Sequence, residues 1–264
     1  MRKPPEERDL IRALARGLDV ILAFSRQRPQ MTLTEVADAT GLSKPTARRI
    51  LLTLLDGGYV RGEGRSFALT PRVLALGYAY LSSLNLTEIA QSFMEDAVAR
   101  TREGCSLATL DGSDVVYVTR VPTHRITSIT LATGTRLPAH ATSLGHVLLA
   151  GLTDHELDRY LEGTDLRPLT ARTIRDAADL RARLGEVREQ GWAMVDQELE
   201  EGLRSVAAPV RDANGRVIAA LGMSSTTAMT DAATMRDRFV PIITEAAGRI
   251  SERLGAGFAD NTTS

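Results

Sequence analysis

Apolar residues in the first quarter of the chain recur at helical spacing and are interrupted at short intervals by capping and turn residues. Leu10, Leu14, Leu18, Ile21 and Leu22 form one stripe, with Gly17 beside it. They predict a first helix that packs behind its successors. Thr32 and Glu35 stand at capping-box spacing, where hydroxyl and carboxylate each satisfy a free backbone N–H of the other residue. Val36, Ala37 and Ala39 follow, and Gly41 suits the end of that second helix. Ser43 caps a third helix at once, so the two are joined by a short Gly-containing turn. In the third helix Ala47, Ile50, Leu51 and Leu54 fall at i, i+3, i+4 and i+7, and Gly57-Gly58 stops it. Residues 59–61 and 66–69 then flank Gly62-Glu63-Gly64-Arg65 and read as a hairpin.

Beyond Thr70-Pro71, a cap followed by proline at the first helical position, Leu74, Leu76, Tyr78, Leu81 and Leu84 predict a linker helix apolar on several sides. Such a helix needs company. A twin in a dimer is the favoured partner, and packing on the chain's own second domain is the alternative. A further helix is predicted from the Asn85/Glu88 cap to about residue 103. The period then changes. Strands are expected at 106–110 and 115–120 around Asp111-Gly112-Ser113-Asp114, and at 126–131. Helices are expected at 141–151, 153–161 and 176–190, strands at 192–195, 205–211 and 217–224, and a closing helix at 230–254 that Pro241 should kink or restart. The predicted class is α+β: an N-terminal winged helix-turn-helix (1–70), a linker helix region (71–90), and a second domain (91–264) with helices packed on an antiparallel sheet.

Composition sharpens this division. The 264 residues have a net charge of −1, yet residues 1–76 carry 13 Lys/Arg and 8 Asp/Glu, a net +5, which leaves −6 for the remainder. A cationic head on an anionic body fits a DNA reader joined to a sensor. The single cysteine, Cys105, excludes an intrachain disulfide. No secretory apolar region follows Arg2-Lys3, and the run 73–81 is far short of the ~20 residues that a membrane helix requires. A cytoplasmic protein with no membrane association is the expectation.

The third helix carries Lys44, Pro45, Thr46, Arg48 and Arg49 on the face opposite its apolar stripe. A recognition helix uses its first turns on base edges and phosphates, and arginine pairs with guanine in a bidentate way. Arg61 and Arg65 in the hairpin are placed for phosphate contact. The blander alternative is a small helical core with a solvated basic face. For each arginine taken singly, base reading, phosphate contact and simple solubility stay open.

No catalytic constellation emerges. Ser143 and His146 lie three apart, without a Gly-x-Ser-x-Gly elbow. Cys105, His124, His140, His146 and His155 lack zinc spacing. The acidic run Asp196, Gln197, Glu198, Glu200, Glu201 reads as a solvated loop, and no phosphate-binding glycine loop is present. Neither an enzyme, a cofactor nor a metal is expected.

Three segments carry a family resemblance. They are Leu33-Thr34-Glu35-Val36-Ala37 with Gly41-Leu42-Ser43-Lys44-Pro45-Thr46; Leu137-Pro138-Ala139-His140-Ala141-Thr142-Ser143-Leu144-Gly145-His146-Val147-Leu148-Leu149-Ala150; and Asp196-Gln197-Glu198-Leu199-Glu200-Glu201-Gly202-Leu203-Arg204-Ser205-Val206-Ala207-Ala208-Pro209-Val210. Over about residues 10–255 the chain resembles the IclR family of bacterial transcription regulators, and most of all the branch that controls aromatic-acid catabolism, for protocatechuate, 4-hydroxybenzoate and β-ketoadipate. The resemblance implies a GAF-like effector domain, a small carboxylate effector, a homodimer or dimer of dimers, and a palindromic double-stranded operator. Carried onto this chain, its effector positions are Ser143, Leu144, Asp196, Ser205 and Ser224. The chain departs from the pattern in Ser143-Leu144, where a pair of small residues is common, in Ser205, where a cysteine is frequent, and in Gly222, where one of two strand hydroxyls is expected.

Local chemistry points to the same place. Pro138 and His140 lead into a helix whose first-turn N–H groups, with the Thr142 and Ser143 hydroxyls, make an anion site. Those hydroxyls also suit simple capping. Asp196 is either a turn residue or a partner for a ligand hydroxyl. Arg136 and Arg204 are either counter-charges for a carboxylate or surface residues. The runner-up to an effector-gated regulator is a DNA-binding protein whose C-terminal domain is purely structural and dimerising.

Overall fold

A computed structural model describes residues 11–25, 27–76, 86–123 and 132–256. The chain divides into two compact units, Met1–Ser83 and Leu84–Ser264. The strand expected at 126–131 and most of the expected linker helix fall outside the described residues.

In the first unit, α1 (Arg12–Ala23), α2 (Leu33–Thr40) and α3 (Lys44–Asp56) surround a core of Val20, Phe24, Met31, Val36, Ala37, Ala47, Leu51 and Val60. The capping box forms as spacing requires: the Thr32 amide donates to Glu35 Oε2 at 2.7 Å, and the Glu35 amide donates back to Thr32 Oγ1 at 3.3 Å. Gly41 closes α2 at φ 65°, a left-handed conformation that costs glycine little. Ser43 accepts from the Thr46 amide and starts α3. Two features differ from expectation. A short strand β1 (Gln30–Thr32) joins β2 (Val60–Glu63) and β3 (Ser66–Leu69), so the wing is a three-stranded antiparallel sheet in the order β1-β3-β2. Three residues are too few for their alternation to register as a strand. The α1 stripe also faces the other way. Leu14, Leu18 and Leu22 are exposed, and the helix packs through Val20 and Phe24. Half-buried Gly17 lies on that side, although a Cβ there would meet nothing within 4 Å.

The second unit is a three-layer α+β domain. Its six-stranded antiparallel sheet contains β4 (Cys105–Asp111), β5 (Asp114–Val121), β6 (Arg136–Pro138), β7 (Ala193–Asp196), β8 (Leu203–Arg211) and β9 (Val217–Thr226), in the order β6-β5-β4-β9-β8-β7. Helices α4 (Leu86–Thr101) and α9 (Val240–Arg253) cover one face. Helices α5 (Ser143–Ala150) and α7 (Ala177–Gln190) cover the other, with α6 (Asp154–Gly163) in the same apolar cluster. Strand alternation sorts the sheet residues between these layers. The expected closing helix is broken as anticipated: α8 (Ala232–Thr234) passes through a π turn at Met235–Phe239 before Pro241 in the first turn of α9. Proline has no N–H to donate, and the wider turn absorbs the mismatch.

Candidate functional site

Two sites follow from these elements. On the first unit, Lys44, Pro45 and Arg48 are exposed along one side of α3 while Ala47 and Leu51 are buried on the other. Lys44 and Arg48 are one turn apart and share a face. Thr46 is half-buried, and its hydroxyl lies 2.9 Å from that of Ser43. Arg49 is exposed too, but it borders the groove between α1 and α3 that Leu14, Leu18, Ile50 and Leu54 also line. Arg48 therefore faces outward and Arg49 sideways. Arg61 and Arg65 are exposed on the wing, Arg65 in the two-residue turn beside Gly64. This is the arrangement in which a helix enters a groove and flanking cations meet phosphates.

On the second unit, a cavity of about 120 Å³ lies between the start of α5 and the sheet. Its floor is a set of small or hydroxylated residues on the α5-facing side of neighbouring strands. Ser106 pairs with Gly222, Ser205 pairs with Ser224 and, on its other side, with Val195. Tyr117 and Leu137 close one end, and Leu199, Glu200 and Leu203 close the other. Thr142, Ser143 and Leu144 form the roof.

The roof is polar for a definite reason. Thr142 Oγ1 accepts from the Gly145 amide at 3.0 Å, and the Thr142 carbonyl accepts from the His146 amide at 2.9 Å. That leaves the Ser143 and Leu144 amides as first-turn donors without an intrahelical partner. Gly145 sits so close to the turn before the helix that a Cβ there would lie 2.0 Å from the Ala139 carbonyl oxygen. Burial pushes the Tyr117 phenol up to about 12, so it remains a neutral donor. The described lining residues include no lysine or arginine, and Glu200 is their one charged side chain.

Of the predicted effector residues, Ser143, Leu144, Ser205 and Ser224 meet at this cavity. Asp196 is not among its lining residues. Alternation turns it away from the face that Val195 presents, and its carboxylate accepts from Arg172 Nη1 and, at 2.8 Å, from Arg204 Nε. Arg204 is itself buried, with Nη1 on the Thr230 carbonyl, and Arg136 is tied to Asp111 and Asp114, so neither reaches the cavity. Sequence reasoning missed Ser106, Tyr117, Leu199 and Glu200. The first two carried a usable signal, because they flank a predicted hairpin in alternate positions.

The loop that supplies Leu199 and Glu200 is pinned. The hydroxyls of Thr170 and Thr173 donate to the carbonyls of Gln197 and Glu198 at 2.7 and 2.6 Å. The Glu198 side chain turns inward toward His146 and is buried. His146 Nε2 lies 2.7 Å from the His140 carbonyl; a carbonyl only accepts, so Nε2 carries the proton. Among the described residues no group of three His, Cys, Asp or Glu side chains is arranged to hold a metal ion. No helix of the described residues is long and apolar enough to cross a membrane.

Residues 78–252 match the family model for the bacterial transcriptional regulator IclR C-terminal domain, and residues 13–64 match the IclR helix-turn-helix domain. The chain belongs to the IclR family. Its members include the Pca regulon regulatory protein of Pseudomonas putida, 41% identical over 93% of this chain and 85% of that protein. A candidate transcriptional regulator from Rhodococcus sp. RHA1 has a crystal structure that superposes with a TM-score of 0.83, at 48% identity, over 93% of this chain and 98% of that one. An IclR homologue from Microbacterium hydrocarbonoxydans, crystallised with 4-hydroxybenzoate, superposes with a TM-score of 0.82 at 28% identity, over 92% of this chain and 98% of that one. The two-part IclR architecture, a helix-turn-helix followed by an effector-type α+β domain, is that of a regulator and not of an enzyme.

Proposed function

We propose that this IclR-family chain is a DNA-binding regulator of aromatic-acid catabolism, gated by a small carboxylate that binds in the cavity beneath the first turn of α5. The observation that carries this reading is the cavity itself. It holds about 120 Å³, near the roughly 150 Å³ that takes up one benzene in an apolar protein cavity. Its roof offers the Ser143 and Leu144 amides at the positive end of a helix, where an anion is favoured without a buried arginine. Ser106, Ser205, Ser224 and Tyr117 supply hydroxyls for the polar substituents of a ring. The similarity to a Pca regulon protein and to a homologue crystallised with 4-hydroxybenzoate supports the choice of ligand class.

In this reading Lys44, Pro45, Thr46, Arg48 and Arg49 meet the major groove, and Arg61 and Arg65 meet the backbone of a palindromic operator in the cytoplasm. The protein acts as a homodimer or dimer of dimers. The exposed α1 stripe of Ile11, Leu14, Leu18 and Leu22 supplies an apolar face for a second copy. The division into a DNA-binding domain at 1–70, a linker at 71–90 and an effector domain at 91–264 lets ligand affinity for one arrangement shift the spacing of the heads. Calorimetric titration of the full chain with 4-hydroxybenzoate, protocatechuate and β-ketoadipate tests the site. One acid should bind in the micromolar range, with the Ser143→Pro variant, which removes one of the two donor amides, binding at least tenfold more weakly. Absence of binding by every acid leaves the effector domain without its proposed ligand class.

A further inference from the structure

Leu144 and Gly222 touch across the cavity. Leu144 is the second residue of α5 and lines the roof; Gly222 lies below it on β9. A Cβ built on Gly222 would fall 2.8 Å from Leu144 Cδ2 and 3.1 Å from Cγ, and 3.0 Å from the Val206 carbonyl oxygen. Real side chains do not approach that closely, so Leu144 occupies the space that any residue with a Cβ would take from position 222. The large residue in the roof and the missing one in the floor are one packing solution. Leu144 is only 5% exposed, and it lines the cavity together with Ser106, Tyr117, Ser205 and Ser224.

We infer that the Leu144–Gly222 pair is the size selector of this pocket, limiting its ligand to a small acid of at most one ring and excluding fused or bulky acids. The inference rests on the effector reading above. The argument is one of volume. A cavity of about 120 Å³ is near the roughly 150 Å³ that accepts one benzene, so one ring fills it. A second ring needs the leucine to leave, and Gly222 gives it nowhere lower to go, because its own Cδ2 already lies in the glycine's side-chain space. Conversely, a hydroxyl-bearing residue at 222 would lift Leu144 into the cavity and close it. Selection by one or two side-chain carbons in an apolar site typically amounts to tenfold to about two-hundredfold in affinity.

The test is a cycle of variants in the full chain: Leu144→Ala, Gly222→Ala and the two combined. The probes are 4-hydroxybenzoate and 2-naphthoate, with thermal unfolding of each variant in parallel. Wild type should bind 4-hydroxybenzoate at least about tenfold more tightly than 2-naphthoate, and Leu144→Ala should shrink that ratio by about tenfold or invert it. Gly222→Ala should lower the melting temperature and weaken 4-hydroxybenzoate. Adding Leu144→Ala should restore part of both, the remaining loss reflecting the contact with the Val206 carbonyl. A wild-type preference that persists unchanged in Leu144→Ala overturns the size selector and leaves the effector reading standing. Additive losses in the double variant overturn the pairing. Wild-type protein that binds neither acid overturns the size selector, while the effector reading falls only if protocatechuate and β-ketoadipate also fail to bind; the melting cycle separately scores the Leu144–Gly222 contact.

Discussion

Nε2 of His146 lies 3.9 Å from Oε2 of Glu198, inside the protein and directly behind the loop that walls the cavity. Neither group finds full compensation. Glu198 Oε2 and His146 Nδ1 are buried without a hydrogen-bond partner among the described residues. Burial pushes the Glu198 carboxyl up to about 7, with the Arg183 guanidinium opposing and Asp196 adding to the rise. Burial pushes His146 down to about 4, against the pull of its bond to His140. At neutral pH the pair is therefore close to a neutral imidazole beside a half-protonated acid.

Opposite pH slopes follow from this pair. An unfolded glutamate ionises near 4.5 and this one near 7, so its contribution to stability falls as pH rises between those values. An unfolded histidine protonates below 6.5 and this one only near 4, so stability falls as pH drops through that window. The two slopes oppose each other from about 4.5 to 6.5, and only the glutamate slope remains from 6.5 to 7. Glu198→Gln removes the first slope. Its stability in urea titrations should rise with pH from 4 to 6.5 more steeply than that of wild type, and parallel profiles for the two proteins would sink this account.

Gly145 makes a sharper prediction for stability. A Cβ at that position meets backbone atoms of Ala139, at 2.0 Å from the oxygen and 2.4 Å from Cα, and backbone has little freedom to yield. Gly145→Ala should cost about 1–3 kcal/mol or more by overpacking. It should also displace the α5 amides and so weaken acid binding. Wild-type melting behaviour would contradict the close approach.

Asp196 is expected to act through Arg204 and Arg172. Asp196→Asn leaves buried Arg204, its side chain 9% exposed, without its carboxylate, at a cost of about 1–3 kcal/mol. If the residue only braces the strand end, affinity for benzoate and for 4-hydroxybenzoate should drop by the same factor. Selective loss of the hydroxylated acid would instead place Asp196 on the ligand hydroxyl.

The DNA face separates into roles. Arg48→Ala should cost about 1–3 kcal/mol of operator binding and relax sequence preference, as expected for a base-reading arginine. Arg65→Ala in the wing should weaken all sequences alike and reduce the salt slope by about one. Gel-shift titrations at several salt concentrations on matched and scrambled sites distinguish the two. The same response from both variants would contradict the division.

Much of this was legible because the signals were local. The Thr32/Glu35 box, the Gly41 turn and the Ser43 cap depend only on residues within four positions of one another, and all three form as spacing required. The short apolar runs expected as strands at 106–110 and 217–224, each bounded by a turn, form within β4 (Cys105–Asp111) and β9 (Val217–Thr226). What was not legible depends on partners distant in sequence. β1 exists because Met31 pairs with Phe67, and three residues carry no period. The α1 stripe looked like a core face, and only the packing of α2 and α3 against Val20 and Phe24 turns it outward. Four of five effector positions meet at the cavity, whereas the pleat that points Val195 inward necessarily points Asp196 away. The contact of Leu144 with Gly222 joins residues far apart in the chain and had no sequence signature.

The central claim, that acid binding in the second unit governs DNA binding by the first, is tested most directly by fluorescence anisotropy of the full chain on its own upstream intergenic DNA, across salt, with and without 4-hydroxybenzoate, protocatechuate and β-ketoadipate. The account predicts tight, salt-dependent binding that one acid shifts several-fold and that ceases to shift in Ser143→Pro. Tight binding that no acid moves would contradict it.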